Sequence, residues 1–211
     1  MTALTPKRDW RAQPREWDDS RRYVAAPIEM ESSTRQVQVV RSFAFLDLSG
    51  FTSFTDEHGP RAAHELLGAF RLLVRDIAAR RGVRVAKWIG DGALLISVIP
   101  ENLVAAAVDI ASRGTAGNVG VRGGVSTGPV LLLDGDDYVG RALNLASRLC
   151  DAVGPGRVLS DADSCMALPD WVLVKPHESL RLKGLGKRSD ILELTVDPAA
   201  AGPRVDLLAR A

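Results

Sequence analysis

The first clear pattern of hydrophobic and polar positions lies at residues 39–46, where a short apolar run predicts a buried strand. That strand delivers one carboxylate, Asp47, and the Ser-Gly break of the sequence FAFLDLSGFT follows it directly. A carboxylate in this position can face a metal ion, and the backbone N–H groups at residues 48–52 can meet phosphate oxygens. The alternative interpretation is a strand that ends at a soluble residue before a turn.

Two amphipathic helices are predicted by apolar residues that recur at helical spacing. The first covers residues 60–82, with proline at its start and glycine at its end, and the second covers residues 101–113 before another glycine. Between them, the apolar runs VRVAKWI and ALLISVI flank the Gly-Asp-Gly sequence at residues 90–92. This arrangement predicts a β-hairpin with Asp-Gly at its turn.

The second half of the chain predicts shorter elements. Residues 119–127 alternate as a strand, and a return strand at 130–133 is predicted after Gly128-Pro129. A polar turn at 134–137 then leads into a helix at 140–153. Four more strands are predicted, at residues 157–160, 171–174, 179–182 and 191–196.

Strands and helices alternate irregularly, and hairpins interrupt the order. We therefore expect an α+β fold, in which a mixed sheet carries helices on one face, and not a doubly wound parallel sheet. The 211 residues fit one domain with tails. We assign residues 37–197 to this domain, residues 1–36 to a loosely ordered N-terminal arm, and residues 198–211 to a C-terminal tail.

Composition narrows the classes of partner and location. The 27 basic residues are balanced by 26 acidic ones, so no net field attracts nucleic acid or an anionic membrane. The sequence contains no apolar run of membrane-spanning length and no signal-peptide pattern at its N-terminus. Its two cysteines, Cys150 and Cys165, do not make a disulfide framework in a chain of this size. These features predict a cytoplasmic protein.

Two carboxylates are predicted to meet at one edge of the sheet, because Asp47 and Asp91 lie at the ends of what should be neighbouring strands. Such a pair can hold Mg²⁺, which binds through few acids, its own waters and substrate phosphates. Alternatively, Asp91 is only a turn residue. Lys87 lies among apolar neighbours in the strand before it, where a cation either needs a partner or extends outward to solvent.

The helix at 140–153 has a buried apolar stripe and a polar side on which Asn144 and Arg148 lie one turn apart. A solvated helix face is the usual explanation of such residues. However, Asn and Arg at this spacing can also hold a ribose and a phosphate, since Arg supplies charged donors matched to phosphate oxygens.

Three motifs in this order, FLDLSGFT, KWIGD and DYVGRALNLASRL, resemble the class III adenylate/guanylate cyclase catalytic domain over residues 37–196. The resemblance implies a ferredoxin-like mixed sheet with helices packed on it. It further implies a homodimer whose active sites are shared between subunits, with ATP as substrate and two divalent cations, Mg²⁺ or Mn²⁺, in each site.

The resemblance also implies roles for individual residues. Asp47 and Asp91 match the metal-binding aspartates, and Leu48 would add its backbone carbonyl. Lys87 and Asp137 match the pair that reads the purine, in the adenine-selecting combination.

Further matches concern the ribose and the phosphates. Asn144 matches the residue that orients the ribose, and Arg148 the one that stabilises the transition state. Lys183 resembles the lysine that meets the terminal phosphates, and Arg157 is a candidate second triphosphate contact, although both could be exposed turn residues. Phe51 and Thr52, in the turn after the first strand, complete the predicted substrate contacts.

The leading hypothesis is therefore an adenylate cyclase that makes cyclic AMP. A catalytically silent nucleotide-binding or dimerisation module on the same fold is the first alternative. Guanylate cyclase activity is the second, and it would call for an acid at Lys87 and a small residue at Asp137. A nucleic-acid binder is more distant, because the sequence shows no basic face.

Overall fold

A computed structural model describes residues 37–133, 137–188, 190–202 and 205–207. The predicted N-terminal arm and most of the polar turn at 134–137 lie outside these residues. In chain order the elements are β1 (Val37–Ser49), α1 (Phe51–Arg80), β2 (Arg84–Ile89), β3 (Gly92–Ser97), α2 (Pro100–Arg113), β4 (Gly114–Ala116), β5 (Val119–Leu133), β6 (Asp137–Val139), α3 (Arg141–Asp151), β7 (Val158–Asp161), a 3₁₀ turn (Ala162–Cys165), β8 (Val172–Pro176), β9 (Leu180–Leu182), β10 (Gly186–Arg188), β11 (Ile191–Val196) and β12 (Val205–Asp206).

The main sheet has the strand order β2-β3-β1-β5-β7-β11-β8. Most neighbours are antiparallel, but β5 and β7 run parallel, so the sheet is mixed as predicted. β1 and β5 form the long central pair, which runs from Val37 opposite Leu132 to Ser49 opposite Gly120. β9 and β10 form a separate two-stranded hairpin. This α+β architecture confirms the predicted fold class.

Helices cover both faces of the sheet, so the prediction of helices on one face was wrong. Ala44 and Leu46 belong to the core cluster that includes α1 and α2. Phe43, one residue before Ala44, packs with Ala142 and Ala146 of α3 in a second cluster. Successive residues of a strand point to opposite faces, so α3 lies across the sheet from α1 and α2. The sequence shows the apolar stripe of each helix, but a stripe alone does not indicate which face of the sheet the helix covers.

Helix α3 lies directly on the sheet at Gly124. A Cβ at this position would fall within the backbone of α3, at the Ala146 carbonyl and the Cys150 N–H. Only glycine allows this close approach between strand and helix. The residues on the outer side of α3 are therefore held at a fixed height above β5.

Helix α1 begins earlier than predicted. It starts at Phe51, and the proline that was predicted to start it follows Gly59, whose φ of 81° interrupts the helix. Gly50 precedes the helix with φ 88°, a left-handed conformation that favours glycine. The chain therefore turns from β1 into a short helical segment before the long one that the sequence indicated.

The predicted turn at Gly128-Pro129 is absent, because β5 continues through both residues and pairs them with Arg41 and Val40 of β1. Proline is tolerated here because residues 126–130 pair with β1 alone, between the stretches that pair with β7 and β6. Asp137 likewise belongs to a strand, opposite Leu133, and not to a turn.

Residues 205–207, within the segment predicted to be a tail, pack against the domain. Val205 and Asp206 pair with β4, the N–H of Leu207 donates to the Thr115 carbonyl at 2.7 Å, and the side chains of Val205 and Leu207 are buried in the main core. The sequence prediction of a tail therefore missed two core positions.

Both cysteines are free and buried, in agreement with the prediction that they form no disulfide framework. Burial, the largest cause, raises the pKa of each thiol to about 12. We find no helix in the described part of the chain that is long and apolar enough to cross a membrane.

We expect Leu207→Ala to lower the free energy of unfolding by about 2–4 kcal/mol, because it removes a fully buried side chain from the core. Urea unfolding followed by circular dichroism measures this change. Leu173→Ala, at a side chain that is 39% exposed, is the matched control and should cost less than about 1 kcal/mol. Equal losses in the two variants would show that the C-terminal segment does not contribute to the core.

Candidate active site

Asp47 lies in the central strand of the site, opposite Gly92 of β3 on one side and Arg122 of β5 on the other. It was predicted to follow the strand, but it lies within β1, two residues before the strand ends at Ser49. Its side chain is 28% exposed and points to the face that carries α3. The register of three strands, and not the turn, therefore fixes this carboxylate.

Asp91 stands beside Asp47, at the turn of the β2–β3 hairpin, as the sequence predicted. Burial raises the pKa of Asp91, and the negative charge of Asp47 raises it further. Gly92 permits a close approach of the two strands, since a Cβ there would lie 2.8 Å from the Leu46 carbonyl and 3.4 Å from Asp47 Oδ1. Two carboxylates that repel one another at an open strand end are suited to a shared cation.

Arg122 is the residue that the sequence analysis missed. Its Nε and Nη2 donate to the same oxygen of Asp47, Oδ2, at 2.9 and 2.6 Å, and its Nη1 donates to the Asp151 carbonyl at 3.3 Å. The signal was a charged residue within the otherwise apolar and glycine-rich strand at 119–127, where a cation needs a partner.

Lys87 and Asp137 form an ion pair, with Nζ donating to Oδ1 at 2.8 Å. The hydrogen bond from Lys87, followed by its positive charge, lowers the pKa of Asp137. Both side chains are more than half exposed, at 52% and 64%, so a substrate can reach them. The structure thus brings together two residues that are fifty positions apart in sequence.

A cleft of about 250 Å³ lies on the outer side of α3, facing the β9–β10 hairpin. Asn144 and Arg148 are exposed on one face of the helix as predicted, and Lys183 comes from the turn of the hairpin. The lining residues are Asn144, Ser147, Arg148, Lys183, Gly184 and Leu185. Three of the predicted site residues therefore share one cleft, and Asp47 and Asp91 are not part of its lining.

Asp151 connects the cleft to the carboxylates. Its side chain accepts from Arg148 Nη1 at 3.5 Å, while its backbone carbonyl accepts from Arg122. Arg148 is 44% exposed and its contact with Asp151 is long, so it can turn toward a ligand at little cost.

The N-terminus of α1 places Phe51 and Thr52 in its first turn. The first helical hydrogen bond is donated by Phe54 to the Gly50 carbonyl at 3.0 Å, so the N–H groups before it have no partner within the helix. Leu48 is buried and lies opposite Val121 of β5. The roles of these residues as phosphate and metal contacts stay predictions.

Arg157 is placed apart from the cleft lining. Its Nη1 pairs with Glu193 on β11 at 3.3 Å, and its side chain is 48% exposed. A role in triphosphate binding would require this ion pair to break, and it stays a prediction.

Solved structures with this arrangement of strands and helices include cyclase catalytic domains. The adenylyl cyclase CyaB from P. aeruginosa superposes with a TM-score of 0.67 at 20% identity, over 80% of this chain and 100% of that chain. The guanylate cyclase domain of RhGC from Catenaria anguillulae, solved with GTP, superposes with a TM-score of 0.63 at 22% identity, over 74% and 96%. The chain has the fold of a class III nucleotidyl cyclase catalytic domain. The resemblance that the sequence motifs indicated is confirmed.

Sequence relatives of this cyclase-fold domain are much longer than the chain. An uncharacterized protein of Mycobacterium tuberculosis is 39% identical over 164 residues, which cover 77% of this chain and 43% of the relative. A protein named adenylate cyclase, from Glutamicibacter nicotianae, is 30% identical over 126 residues, which cover 59% of this chain and 31% of that protein. The chain thus spans less than half the length of these relatives. No protein-family model matches it.

The residues of the cyclase-fold domain fit the divalent cations that this fold implies. Among the described residues, no group of three or more His, Cys, Asp or Glu side chains gathers at one point, so Asp47 and Asp91 stand as a pair. In nucleotide sites Mg²⁺ binds few protein carboxylates, and water and substrate phosphates fill its remaining coordination positions.

We expect Asp91→Asn to raise the free energy of unfolding at neutral pH in metal-free buffer. Because the pKa of Asp91 is raised on folding, the folded domain holds this proton more tightly than the unfolded chain, and the ionised carboxylate costs stability above that pKa. The gain should shrink as the pH falls through the usual value of 3.8, because both states become protonated below it. Urea unfolding at several pH values measures it.

Asp76→Asn is the control for this effect, because it removes an equal charge from an exposed ion pair on α1. It should change stability by less than about 0.5 kcal/mol at neutral pH. An Asp91→Asn variant that is less stable than the original protein at neutral pH would contradict the expectation.

Proposed function

We propose that this domain is an adenylate cyclase, which converts ATP to 3′,5′-cyclic AMP and pyrophosphate. The observation that carries the proposal is the placement of Asp47 beside Asp91 in a chain that also pairs Lys87 with Asp137. A cation site and a base-reading pair are the two features that recognition of a nucleoside triphosphate requires, and two chains can contribute them to one site. Such a function depends on these side chains and not on the fold, which hosts more than one activity.

Asp47 and Asp91 would hold the divalent cations, with the Leu48 carbonyl as a further oxygen ligand. When bound, two such ions supply the charge that stabilises the attacking and leaving oxygens of an in-line displacement. The domain itself holds the two carboxylates in place through the paired strands β1, β3 and β5. The N–H groups of Phe51 and Thr52 face phosphate oxygens at the N-terminus of α1.

Lys87 and Asp137 select the purine in this proposal. Adenine offers an exocyclic amine donor beside a ring-nitrogen acceptor, so Asp137 accepts while Lys87 donates. Guanine reverses this pattern and would leave polar groups unsatisfied. The observed ion pair already sets the two groups side by side at 2.8 Å, which favours reading of one edge of a base.

The cleft residues act on the ribose and the phosphates. Asn144 orients the ribose so that its 3′-hydroxyl attacks the α-phosphorus in line with the leaving pyrophosphate. Arg148 stabilises the charge that gathers on the phosphate oxygens, and Lys183 meets the terminal phosphates. Their common cleft supports this division of roles.

We further propose that each active site is shared between two chains of a homodimer. Asp47 and Asp91 come from one subunit, and the residues of the cleft, with Lys87 and Asp137, come from the other. The cleft on α3 does not include the carboxylates of its own chain, which supports the shared arrangement. A two-fold axis would generate two equivalent sites.

Guanylate cyclase activity is the competing function, because a solved guanylate cyclase domain with GTP has the same fold. The pairing of Lys87 with Asp137 favours adenine. A silent nucleotide-binding module is the other alternative, and the presence of both carboxylates and Arg148 speaks against it.

Cyclisation should depend on both carboxylates. Purified protein incubated with ATP or GTP, and with Mg²⁺ or Mn²⁺, should form cyclic AMP and pyrophosphate, identified by mass spectrometry. Asp47→Ala and Asp91→Ala should each lower kcat by more than about a hundredfold, because the charge at the reacting phosphate is lost. Asp76→Ala is the control and should keep full activity. Near-normal turnover in either site variant would remove that residue from the metal site.

Purine choice should depend on the ion pair. We expect Lys87→Glu combined with Asp137→Gly to lower the ratio of kcat/KM for ATP over GTP by about a hundredfold or more, because both groups that match adenine are lost. Lys175→Glu, at an exposed position on β8, is the control for charge reversal. An unchanged ratio in the double variant would exclude the pair from base recognition.

Mixing two inactive variants tests the shared sites. In a mixed dimer of Asp47→Ala and Arg148→Ala, one site receives both defects and the other receives neither. Random pairing makes about half of the dimers mixed, each with one intact site, so about a quarter of the normal activity should return. No recovery, once subunit exchange has been confirmed by labelled chains, would place each site within one chain.

A further inference from the structure

Arg122 occupies one oxygen of the carboxylate that the proposed function assigns to metal binding. Both Nε and Nη2 donate to Asp47 Oδ2, and the third bond goes to the backbone of Asp151 and not to a second carboxylate. Hydrogen bonds between a guanidinium and a carboxylate are short and strong because both partners are charged. Asp47 Oδ2 is thus already satisfied in the chain by itself.

The two oxygens of Asp47 face different neighbours. Oδ2 faces Arg122 on β5, whereas Oδ1 lies on the side of Gly92, the residue that follows Asp91. This division follows from the register, because Asp47 lies between β3 and β5 with Gly92 and Arg122 directly opposite. A cation shared by both carboxylates can bind Asp47 through Oδ1. Coordination through both oxygens of Asp47 requires Oδ2 as well, which Arg122 occupies.

We infer that Arg122 is an internal competitor for the metal site: its guanidinium holds Asp47 Oδ2 until a divalent cation displaces it. The inference rests on the proposed function only in taking Asp47 as a metal ligand. Arg122 is a positioning residue in this account, since it acts through Asp47. It keeps the carboxylate oriented and balances its charge while no cation is present.

The surroundings of Arg122 suit a contact that can break and reform. Its side chain is 24% exposed, so water can replace a lost bond, and the Asp151 carbonyl still anchors the guanidinium when Asp47 is released. Asp91 and Asp151 are the other acids that face this region, which keeps a displaced cationic side chain nearby. Competition at one oxygen therefore does not require refolding of the strand.

The competing explanation is that Arg122 only supports Asp47. In that case the guanidinium fixes the carboxylate in the geometry that a cation needs, and its removal would weaken metal binding. The two accounts predict opposite changes in affinity, so a binding measurement separates them.

The test is calorimetric titration of Mn²⁺ into nucleotide-free protein. We expect Arg122→Met to bind Mn²⁺ about tenfold more tightly than the original protein, equivalent to roughly 1.4 kcal/mol, because the cation no longer displaces a guanidinium. Arg80→Met removes the same formal charge from the far end of α1, where Arg80 pairs with Asp76, and should change the affinity less than about twofold. When Asp47→Ala is also present, Arg122→Met should no longer tighten Mn²⁺ binding.

A spectroscopic measurement reports the displacement directly. In ¹⁵N-labelled protein the Nε–H signal of Arg122, identified by its absence from Arg122→Lys, should move during a Mg²⁺ titration, with the same midpoint as metal binding. Circular dichroism of each variant confirms that the fold is kept. An unmoved Nε–H signal at saturating Mg²⁺ would show that the hydrogen bond from Arg122 to Asp47 is kept, and would overturn the inference.

The remaining outcomes are equally decisive. Weaker or unchanged Mn²⁺ binding in Arg122→Met overturns the inference and favours the purely supporting role. Absence of Mn²⁺ binding from every variant overturns it together with the metal assignment. Tighter binding in Arg122→Met with no cyclic product from ATP or GTP supports the inference while the proposed function fails, because neither binding measurement requires turnover.

Discussion

The antiparallel pairing of β1 with β5 is the constraint on which the rest of this structure depends. These strands form the centre of the sheet, and their register decides which residue lies beside Asp47. A shift by one residue would move every side chain of β1 to the opposite face, and would take the carboxylate away from both Arg122 and the hairpin of β3. The same register aligns Gly124 under α3, so a single pairing places both the carboxylate proposed to bind metal and the helix of the cleft.

Charges of the candidate site residues and their neighbours are arranged in pairs before any substrate arrives. Lys87 is matched by Asp137, Arg122 by Asp47, and Arg148 by Asp151. Each pair is partly exposed, so its contribution to stability is small and its members can exchange partners at low cost. Asp91 stands outside these three pairs, and burial, followed by the negative charge of Asp47, raises its pKa. These ion pairs are therefore present in the folded domain, and they are weak enough to break when a highly charged ligand binds.

Local signals in the sequence predicted most of the elements and supplied most of the candidate site residues. The β2–β3 hairpin, α2 and β11 lie where the apolar patterns and the glycines indicated. The motif residues Asp47, Asp91, Asn144 and Arg148 were found because each lies in a short stretch with its own turn or helical spacing. Lys87 and Asp137 were paired only through the family resemblance, and the structure places them in contact.

What the sequence could not predict depended on tertiary neighbours. The Gly128-Pro129 pair is typical of a turn, yet β5 passes straight through it because that stretch has a neighbour on one side only. Leu207 was assigned to a tail, because its segment is too short for a periodic pattern, although its side chain is fully buried. Arg122 became recognisable only when the register of β1 and β5 set it opposite Asp47, since no local pattern connects positions 75 residues apart.

The close contact at Gly124 has a mechanical consequence. With strand and helix backbones touching, α3 cannot slide or tilt independently of β5, so Asn144 and Arg148 travel with the sheet as one rigid body. The opposite wall of the cleft is different, because the β9–β10 hairpin forms its own small sheet and is joined to the core through apolar contacts such as those of Leu182. The β9–β10 hairpin, with Lys183 at its turn, is therefore the wall of the cleft that can move to fit a ligand. Helix α3 is the wall that stays fixed.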